Sequence, residues 1–173
     1  METATATVEY GEKNIQHLQN ADHIRKRPDM YIPDTGTRGM HHLVYELVYN
    51  SVDEFLAGQC KAVTVTVHVD GSVSVGDDGR GIPVEMHSEL KIPTLEAVLT
   101  LVGAGGKFDN NAYKVAGGLH GVGASVVNAL SSHLEVQVRR DGFQYTQHFR
   151  KGKVQGPVEK GEPARGRVLR ITL

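Results

Sequence analysis

Residues 103–123 read GAGGKFDNNAYKVAGGLHGVG, and seven of these 21 residues are glycine. They form two clusters: Gly105–Gly106, followed by Lys107, and Gly117–Gly118 running through Gly121 to Gly123. Glycine reaches backbone angles closed to other residues and lets a main chain approach a ligand with no Cβ between them. The second cluster leads straight into ASVVNAL, an apolar run that reads as a helix over 122–130. A glycine loop that opens a helix offers unpaired N–H groups at the positive end of the helix dipole, an arrangement suited to a polyphosphate. The alternative is a plain flexible glycine loop. The stretch is not a P-loop, because no GxxxxGK followed by Ser or Thr is present. Nor does a strand lead into a GxGxxG, which disfavours a Rossmann fingerprint.

Upstream, residues 39–58 carry the strongest helical period in the chain. Met40, Leu43, Val44, Leu47, Val48, Val52 and Phe55 recur at three- and four-residue spacing, and Gly58 supplies a stop. Glu46, Asn50 and Asp53 fall on the opposite stripe. A solvated polar face accounts for that stripe. So does a nucleotide pocket, with Glu46 as general base and the Asn50 carbonyl as a hard ligand for Mg²⁺.

Next, AVTVTVHV over 62–69 alternates as a half-buried strand with Val63, Val65, Val67 and Val69 inward. Asp70–Gly71 is a hairpin turn, and 72–75 returns. DDGRGIP over 77–83 follows. It reads as a turn, or as a base-binding loop in which Asp77 accepts from an exocyclic amine and Gly79 and Gly81 let a flat ring lie against the backbone.

The remainder gives a helix at 94–102 and a hairpin of 134–140 with 143–149 turning at Asp141–Gly142. A polar loop at 151–166 and a last strand at 168–173 follow. Toward the N-terminus, 14–26 reads as a short helix ended by Pro28, and 1–13 as an arm without its own core. Antiparallel hairpins with interspersed helices predict an α/β two-layer sandwich, a mostly antiparallel sheet with helices on one face. The domain runs over 14–173.

Bulk properties exclude several classes. The 173 residues are 39% apolar and 23% charged, with a formal net charge of −1, so a broad basic nucleic-acid surface is not expected. Cys60 is the single cysteine, which rules out a disulfide framework and suits a reducing cytoplasm. No apolar run is long enough for a membrane span, and no signal-peptide layout opens the chain. The histidines, His41–His42 and His120 among them, lack metal-ligand spacing.

ELVYNSVDE, DDGRGIP, AGGKF and GGLHGVG, in this order, resemble the N-terminal ATPase domain of the B-type chains of bacterial type II topoisomerases, the gyrase branch more than topoisomerase IV. That family shares the Bergerat-type ATP-binding fold with the large heat-shock chaperone, histidine kinases and MutL. The likeness runs from about Tyr10 to the end of the chain. It implies ATP and Mg²⁺ as cofactors, Glu46 as the base activating water and Asn50 as the metal ligand. It places Asp77 on the adenine amine with Gly79, Arg80, Ile82 and Pro83 around the base. Gly105, Gly106, Lys107, Tyr113 and Lys114 would cover the phosphates, as would the run Gly117, Gly118, Leu119, His120, Gly121, Val122 and Gly123. Arg80 and Arg140 would flank a site for aminocoumarin antibiotics. Tyr10 would reach a partner protomer's ATP site in an ATP-dependent dimer, and Tyr31 falls in a segment that adds dimer contacts. The gyrase A protein and DNA would be engaged through regions outside this chain.

Some positions depart from the family pattern. Tyr49 stands where an acidic residue usually precedes the asparagine, Asp29 and Pro33 replace glycines, and Arg167 follows Gly166 where a threonine is usual. The γ-phosphate lysine of such enzymes lies in a further domain, so slow turnover is expected of these residues alone. Two other readings are a non-hydrolysing nucleotide-binding module and a kinase of the same superfamily, against which the absence of a phosphoacceptor helix speaks.

Overall fold

Two hairpins, a late strand and two further strands build one seven-stranded sheet among the described residues, and helices cover one of its faces. The computed structural model describes residues 20–104, 123–164 and 168–173. In chain order the described elements are α1 (Asn20–Lys26), α2 (Thr37–Leu56), β1 (Val63–Val67), β2 (Val73–Asp77), α3 (Thr94–Thr100) and α4 (Gly123–Leu130). They continue with β3 (Leu134–Arg140), β4 (Phe143–Arg150), β5 (Lys153–Val154), β6 (Glu159–Pro163) and β7 (Val168–Thr172). The strand order is β1-β2-β7-β3-β4-β5, with β6 also on β4, and every pairing is antiparallel. The α/β architecture expected from the order of elements is the one observed.

The sheet's buried side follows from register. Val136 of β3 stands opposite Ile171 and Gln147, Leu134 opposite Phe149, and Val75 of β2 opposite Ile171. Leu134, Val136, Val138, Phe149 and Val75 are buried and share a core with Ile24, Leu43, Leu47, Leu95 and Leu99 from the helices. Between them lies α4, GASVVNAL, in contact with α1, α2 and α3 and buried from Ser125 through Ala129. A short helix that is apolar nearly all round has no solvent face to offer, so it sits in the middle. Its C-terminal carbonyls are satisfied by side chains: Arg25 Nη1 donates to Ala129 O at 2.8 Å and Ser131 Oγ to Val127 O at 2.7 Å. Its Asn128 Nδ2 donates to Leu99 O at 2.8 Å, tying it to α3.

Helix α2 begins where Asp34 Oδ1 accepts from the amides of Gly36 (2.8 Å) and Gly39 (3.2 Å), taking up donors that the first turn leaves free. The β3–β4 turn has Asp141 at φ 53° and Gly142 at φ 82°, the twist a two-residue hairpin requires.

Four expectations are corrected. The valines of β1 do not point into a core: Val63, Val65 and Val67 are exposed, as is Val69 beyond them, because β1 is the outermost strand and α2 packs mainly over β2. On α2, Met40 and Phe55 are exposed while Ser51, Asp53 and Glu54 are buried, so Asp53 leaves the solvated stripe. The segment 151–166 is not a plain loop, since it holds β5 and β6. Helix α3 stops at Thr100 rather than 102. No helix among the described residues is long and apolar enough to cross a membrane.

Candidate functional site

Three elements converge where α2 crosses the end of β2 and the start of α4. From α2 come Glu46, Asn50, Ser51 and Glu54; from the end of β2 comes Asp77, with Gly79–Pro83 after it; α4 opens with Gly123.

Asp77 is the buried acid of the site, 6% exposed. Ser51 Oγ donates to its Oδ2 at 2.7 Å, and the Gly79 amide donates to its Oδ1 at 2.9 Å. Burial pushes its pKa above the ordinary carboxylate range; Ser51 and Gly79 pull the other way, and Glu54 and Asp78 add to the rise. Each oxygen of a carboxylate can accept more than one hydrogen bond, so acceptor capacity remains for a ligand donor.

Its neighbour Asp78 does a different job. Its Oδ1 accepts from the amides of Lys61 (2.7 Å) and Ala62 (3.0 Å), which clasp the strand leading into β1. Those two hydrogen bonds, helped by the Cys60 thiol, hold its pKa down to about 2. Burial raises the Cys60 pKa, and its Sγ donates to Ala62 O at 3.3 Å; it is a packed thiol.

The loop after Asp77 is held by Glu54. Its Oε2 accepts from Arg80 Nε (3.0 Å) and the Arg80 amide (3.2 Å), and its Oε1 from Arg80 Nη2 (2.8 Å). Gly79 is pinched between the two acids. A Cβ there would stand 2.9 Å from Asp77 Oδ1 and 3.2 Å from the Cβ and Cγ of Glu54. Ile82 packs on the core and Pro83 is exposed. Farther along, Glu85 Oε1 lies 3.3 Å from Arg140 Nη2, and Arg140 Nε donates to Asp141 Oδ2 at 3.1 Å. This links the end of β3 to the loop that follows Pro83.

Glu46 is partly exposed, with His42 Nε2 3.4 Å from its Oε1 one helical turn earlier. Its carboxylate lies against Gly123, so close that a Cβ at 123 would overlap it. Asn50 stands one turn beyond Glu46, half-buried. Ser51, which holds Asp77, is five residues on from Glu46, about 7.5 Å along the helix axis. One helix therefore carries the group that grips the buried acid and the group that lies against the start of α4.

Glu46, Asn50, Asp77, Gly79, Arg80 and Gly123 are thus brought to one region, with Arg140 joined through Glu85. Tyr10, Gly105, Gly106, Lys107, Tyr113, Lys114 and the run from Gly117 to Val122 lie outside the described residues. Ser51, Glu54 and Glu85 were not singled out from the sequence. A signal existed for two of them. Ser51 and Glu54 continue the stripe of Leu43 and Leu47, and a polar residue on an apolar stripe needs a buried partner.

Residues 35–173 match the family model described as histidine kinase-, DNA gyrase B- and HSP90-like ATPase. The chain is 58% identical over 157 residues to the DNA gyrase B protein of Haloferax volcanii, covering 91% of this chain and 24% of that protein. It is 57% identical over 150 residues to the DNA gyrase B protein of Thermotoga maritima (87% and 24%) and 51% over 157 residues to that of Mycobacterium tuberculosis (91% and 23%). The chain spans about a quarter of the length of these curated relatives.

Proposed function

Because this chain belongs to the family of histidine kinase-, DNA gyrase B- and HSP90-like ATPases, we propose that it is the ATP-binding and ATP-hydrolysing module of a type II DNA topoisomerase, a gyrase B protein. The observation that carries the reading is the pairing of Asp77 with Ser51 on the same helix whose Glu46 lies against the start of α4. A buried carboxylate with acceptor capacity left fits the amino group of adenine. Beyond Gly79, Ile82 and Pro83 offer apolar surface to a flat ring. The start of α4, directly after the second glycine cluster, fits phosphate oxygens.

ATP, when bound, supplies the phosphoanhydride bond that is cleaved, and Mg²⁺ supplies positive charge on its phosphates. Asn50 would offer a carbonyl oxygen to the cation. Glu46 orients a water and accepts its proton. His42 steadies the Glu46 carboxylate from the preceding turn. Glu54 holds Arg80 so that the base-binding loop keeps its shape.

The glycines and lysines between 105 and 122 would contact the phosphates, and Tyr10 would serve the site of a partner in an ATP-dependent dimer. In the whole protein this cycle, set in the cytoplasm, drives DNA strand passage together with a gyrase A protein. Aminocoumarin inhibitors take the rim between Arg80 and Arg140. The corresponding chain of topoisomerase IV is the neighbouring alternative.

The test is calorimetric titration with a non-hydrolysable ATP analogue, with and without Mg²⁺. Asp77→Asn should weaken binding about tenfold to a hundredfold, the worth of a charge-assisted hydrogen bond. Glu46→Gln should keep binding and lose turnover. Equal affinity in wild type and Asp77→Asn would sink the reading.

A further inference from the structure

We propose that Ser51 is a positioning residue for the nucleotide: its hydroxyl fixes the orientation of the Asp77 carboxylate and so sets how well that carboxylate accepts from a purine amine. The proposal rests on the ATP reading above.

Three observations carry it. First, the hydroxyl has two acceptors in reach, Asp77 Oδ2 at 2.7 Å and Leu47 O at 3.5 Å. The shorter contact is a full hydrogen bond and the longer one is at the limit, so the proton goes to Asp77 rather than back to the helix. Second, both partners are buried: Ser51 is 2% and Asp77 6% exposed. Water cannot replace the hydroxyl without opening the packing of α2 on β2. Third, the two carboxylate oxygens are held from opposite elements, Oδ2 by α2 and Oδ1 by the Gly79 amide. Two donors on two oxygens leave the carboxyl plane no freedom to turn.

Among the described residues, the other groups acting on Asp77 do not favour its charge. Glu54, from the next turn of α2, is neutralised by Arg80, and its residual effect opposes ionisation. Asp78 opposes it too, and its own charge is engaged by the Lys61 and Ala62 amides. The Cys60 thiol nearby is held protonated by burial. Ser51 and Gly79 are therefore the donors that keep Asp77 an acceptor in a buried setting. Gly79 contributes through its backbone, so Ser51 is the position at which a side-chain change tunes this acid.

The experiment measures Kd for a non-hydrolysable ATP analogue across pH 5–8 with the whole chain, as wild type, Ser51→Ala and Ser51→Cys. Alanine removes the donor, and cysteine keeps the volume with a weaker donor. Ser51→Ala should bind about five- to tenfold more weakly at pH 7, with the acid limb of its binding curve moved to higher pH. Ser51→Cys should fall between. If wild type binds and the three curves superimpose, or if the variants weaken equally at every pH, Ser51 does not position Asp77 and the ATP reading stands. If wild type shows no binding, the ATP reading fails and takes the role of Ser51 with it.

Discussion

The carboxylate of Glu46 fills the space that a Cβ on residue 123 would need. Helices α2 and α4 therefore meet through an acid and a glycine, and the fit depends on both. Gly123→Ala should displace Glu46, since the added Cβ needs the space that its carboxylate fills. The expected outcome is a fall in ATP turnover on the order of 10² with ATP-analogue affinity changed far less. Steady-state hydrolysis alongside calorimetric titration checks it; unchanged turnover would separate Glu46 from the chemistry.

Asp77 should cost the fold stability near neutrality. Its pKa is raised in the folded state, chiefly by burial, so the folded chain binds the proton more tightly than the unfolded chain does. Its contribution is complete below the ordinary carboxylate value of 3.8 and is withdrawn as pH rises through the raised one. Asp77→Asn should melt higher than wild type at pH 7, and the two should converge below about pH 4. Thermal melts from pH 3 to 8 decide it, and a variant that melts lower at pH 7 contradicts the sign.

Asp78 should behave in the opposite sense. Its pKa is lowered to about 2 by the Lys61 and Ala62 amides, so its contribution is present above 3.8 and is lost as pH falls through about 2. Asp78→Ala should melt lower than wild type at pH 7, with the gap narrowing as pH falls toward 2. Exchange of the Lys61 and Ala62 amides should quicken, since their acceptor is gone. Protection of those amides unchanged in the variant would show that Asp78 does not hold the strand.

Arg25 supplies a control far from the acids. It donates to Ala129 O at the C-terminal end of α4, where a cation also complements the helix dipole. Arg25→Met keeps much of the stem and removes the donor. It should lower stability by about 1 to 2 kcal/mol in denaturant unfolding. Nucleotide affinity should not change; a large loss would mean that the two ends of α4 are coupled.

Much of this arrangement was legible in the chain. The periodicity of α2, the turn residues Asp141–Gly142 and the alternation of β3 and β4 placed the main elements, because those patterns answer directly to backbone geometry. That Asp77 closes a strand and that Glu46 and Asn50 stand one turn apart on α2 was legible in the DDG turn and in the helical period. What alternation could not supply was whether anything covers a strand: it gives parity, and the valines of β1 have parity without a roof. Strands β5 and β6 escaped notice because KGKVQGPVEKGEP lacks a two-residue apolar period, and its pairing comes from β4 rather than from local propensity. The adjacent acids at 77 and 78 could not be told apart by type. Only their opposite directions out of the strand end make one buried and raised, the other exposed and lowered.

The outer margin of the sheet has a practical result at the bench. Val63, Val65 and Val67 line a strand whose far side has no neighbour in the sheet among the described residues. Such a rim is sticky toward any extended peptide, so concentrated stocks of this polypeptide should cloud with time and warming. A lysine in place of Val67, which is 74% solvent-accessible, should delay that turbidity at no loss of packing.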